Sequence, residues 1–246
     1  MQEKYNPPVE KKEGYDVSAT VYLMRHPHKE TFDGDISPKG EEDAEKLRIL
    51  FDRYQKMYET DELEVSHSGH KRPRQAARIL IKAGPGDLEN NIRPGLAFIG
   101  SDEFDKKYQE LTEQNKGDES AAVQMVIDTG DKRFDSESLS SVEISQKVAQ
   151  ELLAIVEQTK TYKSGTKKPI VLISHAGLIE NFLVDLLEKR SAEESLKAIG
   201  GNLDFLEDLR LYISRRSPTE VSLKYRFRDV RGELSEEKLR QLAGKV

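Results

Sequence analysis

The 246-residue chain contains no cysteine and no tryptophan, and only five histidines. Without cysteine there is no disulfide framework, no thiolate nucleophile and no cysteine-ligated zinc. No run approaches the roughly 20 apolar residues that cross a bilayer. The first residues, MQEKYNPPVEKKEGYD, lack the apolar centre of a signal peptide. A cytoplasmic protein with no membrane partner is the expectation. Positive charge is not in excess either. The formal net charge is −6, the wrong sign for a general nucleic-acid binder, so nucleic acid is not expected as a partner.

What is present is a chain 36% hydrophobic and 34% charged, enough apolar material for a core under a heavily charged surface. Residues 1–15, with Pro7, Pro8 and a charge cluster, read as a flexible arm. Val17 to Met24 reads as a buried strand, and Ser37-Pro38 as the cap and first turn of a helix. Leu63–Ser66 is a second strand, Arg74–Lys82 a second helix, and Ser140–Gln158 an amphipathic helix. Pro169–Ser174 is continuously apolar, as central parallel strands are. Asp208–Ser214 and Glu220–Phe227 read as a hairpin added to the sheet edge. Strand–helix alternation gives an α/β sandwich with mostly parallel strands over residues 16–246. Residues 84–137, interrupted by glycines and prolines, read as an insertion forming a cap over the sheet.

The five histidines carry the chemistry. His26 and His28 follow the first strand, His67 and His70 the second, and His175 the third. Ligands in open α/β sheets bind outside the carboxyl ends of the strands, so all five are expected on one rim. Arg25 and Arg72 accompany them and offer planar donor forks for phosphate or carboxylate. His175-Ala-Gly stands where a strand hands over to a helix, whose free N–H groups favour an anion. A phosphate pocket follows from this grouping. The same five histidines also suit a metal-dependent hydrolase, although arginines beside the ligand pairs oppose a dication.

LMRHP resembles the LxRHG signature of the histidine phosphatase superfamily, which includes the phosphoglycerate mutase-like enzymes. ISPKGEEDAEKL resembles the LTxxGxxQA helix start of that family, and KRPRQAARIL its RAxQTA segment. FDSESLSSV resembles its GES segment and VLISHAGLI its VSHGGxI segment. The matches occur in family order from about residue 20 to 180, in the manner of branch 1.

The resemblance implies a three-layer sandwich with a mostly parallel central sheet flanked by helices. It also implies a phosphomonoesterase that works without metal or cofactor. His26 matches the nucleophile that becomes phosphohistidine, and Arg25, Arg72 and His175 match the rest of the phosphate pocket. A glutamate between the second helix and the GES segment protonates the leaving group in this branch. Glu103 is the expected acid, with Asp102 beside it; Asp102, His28, His70 and Lys71 are expected to line the substrate site. A small phosphate ester or a phosphoprotein is the implied substrate, and the edge hairpin leaves room for a homodimer.

Two departures stand out. Pro27 replaces the glycine that follows the nucleophile and removes an amide donor. His28 stands where the family often carries a small or acidic residue. Ala176 stands where the other branch carries its acid, an aspartate. The chain has no tryptophan and nothing like RHGExxWN follows His26, which puts phosphatase ahead of mutase. Pro27 also motivates a third reading, a phosphate or phosphopeptide binding module with little turnover.

Overall fold

The computed structural model describes residues 16–29, 34–84, 87–97, 100–190 and 195–244. The expected arm at residues 1–15 lies outside these. Among the described residues the strands are β1 (Val17–Arg25), β2 (Glu64–His67), β3 (Lys167–Ser174), β4 (Asp208–Arg215), β5 (Val221–Phe227) and β6 (Val230–Leu234). The helices are α1 (Pro38–Tyr58), α2 (Lys71–Ile81), α3 (Asp102–Gln114), α4 (Ser120–Asp128), α5 (Ser141–Gln158), α6 (Leu178–Leu186), α7 (Ser195–Ala198) and α8 (Glu236–Leu242).

Local chemistry explains the helix starts. The Ser37 side chain accepts from Gly40 N–H, with Pro38 in the first turn where its missing donor costs nothing. Ser140 and Glu143 form a reciprocal capping box on α5. Ser235 caps α8.

The six strands form one sheet in the order β2-β3-β1-β4-β5-β6. β2, β3 and β1 run parallel, while β1–β4, β4–β5 and β5–β6 pair antiparallel. Four of the six strands therefore point the same way (β1, β2, β3 and β5). The expected hairpin is present but not at the edge. β4 pairs with β1 along its length, and a third strand, β6, extends the meander. β6 has the sequence VRGEL, whose charges and glycine conceal a strand pattern.

Side-chain alternation divides the core in two. Ala19, Val21 and Leu23 of β1 join Ile170 and Leu172 of β3 against α3–α8. Tyr22 and Met24 join Val171, Ile173 and Val65 against Phe51 of α1 and Ala76, Ala77 and Leu80 of α2. Both faces of the parallel strands are covered, which is why these strands are continuously apolar. The result is a three-layer sandwich. Parity also sets the direction of the functional residues. Arg25 shares the odd face of β1 with Leu23, and His67 shares the α2 face of β2 with Val65.

Candidate active site

The three parallel strands end abreast. Met24 pairs with Ile173, and Ile173 with His67, so the residues that follow leave the sheet side by side. His26 N–H donates to Ser174 O at 2.9 Å, and Ser68 N–H to Ile173 O at 3.2 Å. The rings gather beyond them. His26 and His175 lie edge to face with centroids 5.2 Å apart, and His70 stands 4.8 Å from His175 in the same manner. Ser68 Oγ is 3.1 Å from His175 Nε2.

His26 is buried, and its Nδ1 lies 2.8 Å from the Pro27 carbonyl oxygen. A carbonyl only accepts, so Nδ1 carries the proton and Nε2 keeps its lone pair. Burial pushes the His26 pKa well below 6.5, and the charges of His175, Arg72 and Arg25 push it the same way, against the Pro27 hydrogen bond. His175 is depressed in the same direction, by burial first and then by His70, Arg72, Lys29 and Arg25. Both imidazoles are neutral at pH 7. Pro27 gives up an amide donor and keeps the acceptor that selects the His26 tautomer.

Arg25 is buried and is held from three directions. Its Nη1 donates to Leu203 O at 2.6 Å, and its Nη2 to Glu119 Oε2 at 2.7 Å. Its guanidinium carbon lies 4.2 Å from the centre of the Phe205 ring. Nε is buried without a hydrogen-bond partner among the described residues. An unpaired buried donor on a cation is a strong invitation to an anion.

Glu119 immediately precedes α4 and is itself buried. Its second oxygen accepts from Lys29 Nζ at 2.5 Å. Burial alone would raise its pKa, but Arg25, Lys29 and Arg72 outweigh that and hold it below 4.5. Glu119 is therefore ionised in this arrangement. Its signal in the sequence was weak. A glutamate just before the apolar run of α4 reads as a solvated cap unless the partners that bury it are known.

The segment after β1 is pinned by α1. Ser37 N–H donates to His28 O at 2.8 Å, and a Cβ on Gly40 would stand only 2.3 Å from that oxygen. Only glycine lets the helix come this close. The His28 ring rests on Phe205 with centroids 4.0 Å apart, so this pair closes one side of the pocket. Phe205 carried no signal of its own; its place depends on the turn at residues 203–207, where Leu206 N–H donates to Arg25 O at 3.2 Å.

The expected site residues separate accordingly. Arg72, in the first turn of α2, is near enough for its charge to act on both His26 and His175, while Arg74 turns to Glu89. Four of the five histidines gather. His67 does not; strand parity buries it on the α2 side, among Leu88, Arg74 and Arg78. Lys71 is exposed and pairs with Asp35 at 2.9 Å. Glu103 and Asp102 are also exposed, in the first turn of α3, because the helical period turns Phe104 and Tyr108 inward instead. The carboxylate brought to Arg25 is Glu119, from the same 84–137 segment. Among the described residues no three His, Asp or Glu side chains form a metal-ligand set.

No family model matches the sequence, and no curated protein matches it. Solved structures do match, and the likeness is one of fold: phosphatases share this α/β sandwich at low sequence identity. One similar structure is a phosphoserine phosphatase from Entamoeba histolytica, in complex with 3-phosphoglyceric acid. It is 20% identical, matches over 79% of this chain and 90% of that one, and has a TM-score of 0.50. Another is a mycobacterial glucosyl-3-phosphoglycerate phosphatase, 13% identical over 87% and 97% of the two chains, TM-score 0.53. A third, mycobacterial hydrolase 2, is 13% identical over 92% and 97%, TM-score 0.57.

Proposed function

We propose that the protein is a phosphomonoesterase that hydrolyses a phosphate monoester through a phosphohistidine on His26, with residues 84–137 acting as its cap. One observation carries the reading. His26 is a buried neutral imidazole whose Nδ1 is committed to Pro27, leaving Nε2 as a nucleophile beside Arg25, Arg72 and His175. In the first step Nε2 bonds to phosphorus as the ester P–O bond breaks. Arg25, Arg72 and His175 stabilise charge on the transferring oxygens. Water then attacks the phosphohistidine, and the P–N bond breaks to release inorganic phosphate.

The leaving oxygen takes its proton from Glu119. In the free protein Glu119 is ionised on Arg25 and Lys29. An entering phosphate dianion takes over these cations, and Glu119, facing new negative charge, accepts a proton from solvent. In the second step it takes a proton back from water.

Hydrolysis of p-nitrophenyl phosphate in the presence of EDTA tests the reading. Activity that survives the chelator, vanishes in His26→Ala and leaves base-stable, acid-labile phosphate on the quenched protein is the expected result. Activity lost to chelation and restored by metal would overturn it in favour of a metallohydrolase. Vanadate binding with no turnover on any monoester would leave a binding module.

A further inference from the structure

Glu180, in the first turn of α6, is completely buried and takes no part in the chemistry above. Its carboxylate is fully engaged. Oε2 accepts from Gly177 N–H at 2.7 Å, and Oε1 accepts from Leu203 N–H at 2.9 Å. These partners belong to two separate chain segments of the site. Gly177 lies two residues after His175, in a turn with φ +83° that favours glycine. Leu203 precedes Phe205, and its own carbonyl accepts from Arg25 Nη1 at 2.6 Å. A single residue thus connects Glu180 to the arginine: the Leu203 N–H donates to the acid on one side of its α-carbon, and its C=O accepts from the cation on the other.

The residue type matters here. Both partners are N–H donors, so two acceptor oxygens are required. A buried carboxylate is expensive to keep, and capping α6 alone would need only one oxygen. Glutamine keeps the shape but turns an NH2 toward one of the two donors, so one hydrogen bond is lost.

We propose that Glu180 is a positioning residue that couples the His175 turn to the orientation of Arg25 by fastening Gly177 and Leu203 to one carboxylate. Its catalytic consequence rests on the phosphatase reading, in which Arg25 holds the phosphate. The coupling itself does not.

Three measurements on the full chain test it: vanadate affinity, the kcat and KM of p-nitrophenyl phosphate hydrolysis, and the nitrogen-15 signal of Arg25 Nε–H. Glu180→Gln is expected to stay folded, to bind vanadate about 10–100-fold more weakly, the scale of one hydrogen bond within a charged network, and to broaden or shift the Arg25 signal. Leu186→Ala, a cavity variant in the last turn of the same helix, supplies the control. It is expected to lower the melting temperature without moving vanadate affinity or Arg25. Equal effects of the two variants on vanadate, or an unmoved Arg25 signal in Glu180→Gln, would overturn the proposal. If Glu180→Gln does not fold, Glu180→Asp, with two acceptor oxygens on a shorter stem, decides by the same readouts. If the wild-type chain neither binds vanadate nor turns over, the phosphatase reading fails, and the Arg25 signal still decides the coupling.

Discussion

The pocket has two halves of different construction. Its histidine half stands on strand ends: His26, Ser68 and His175 follow three parallel strands in hydrogen-bonded register. Its arginine half is assembled from chain segments far apart in sequence. Arg25 is held by Glu119 from the linker before α4, and by Leu203 and Phe205 from the turn before β4. The sheet positions the first half as a consequence of folding. Arg25 also ends a strand, but the orientation of its side chain depends on two loops arriving together. In the proposed mechanism the nucleophile belongs to the strand-end half, while charge balance belongs to the other.

Substitutions can break this contrast. The largest effect is expected on the strand-end side, where His26→Ala should lower kcat/KM for p-nitrophenyl phosphate by at least ~10³-fold, as loss of a nucleophile does. A variant retaining a tenth of the activity would move the nucleophile elsewhere. Next comes the acid. Glu119→Gln should cost about 10²–10⁴-fold on an alkyl phosphate, and much less on p-nitrophenyl phosphate, whose leaving group needs little protonation. Glu103→Gln should change either substrate by less than about 2-fold, since its side chain faces solvent. Reversed results for the two glutamates would return the acid to α3.

The loop half should show itself in binding. Phe205→Ala removes the face on which the Arg25 guanidinium and the His28 ring rest. A KM increase of roughly 2–30-fold with little change in kcat is expected, the range of a partly desolvated cation–π contact. A fall in kcat alone would place Phe205 in the chemical step instead. The smallest expected effect is in the pH profile. The His26 nucleophile is neutral above its folded pKa and lost as pH falls through it. Because burial and nearby cations push that pKa well below 6.5, kcat/KM should show no acid limb centred at 6.5 or higher. A limb there would show that the pocket does not depress His26.

The same division decides what was legible in the sequence. Strand ends, caps and the residues in motif order are local patterns, so His26, Arg25, Arg72 and His175 could be named before the fold was known. His67 follows a strand end but leaves the rim, because its even spacing from Val65 turns it to the α2 face. Glu119 and Phe205 had no pattern to find. Their roles arise from long-range closure, and the Leu203 contribution is a backbone carbonyl that any residue type would supply. Glu103 was the natural candidate by segment and charge, and the helical period, which places Phe104 and Tyr108 inward, excludes it from the interior. β6 carries no strand pattern because an arginine, a glycine and a glutamate occupy its centre.

The close approach of Gly40 to the His28 carbonyl has a consequence for mutational scans. A scan of every position, scored only by survival of activity, would mark residue 40 as intolerant alongside residue 26. Yet residue 26 is the proposed nucleophile, and residue 40 merely has no room for a methyl group. Scoring protein abundance in parallel would separate them: substitutions at 40 should deplete the folded protein, whereas substitutions at 26 should leave it abundant and inert.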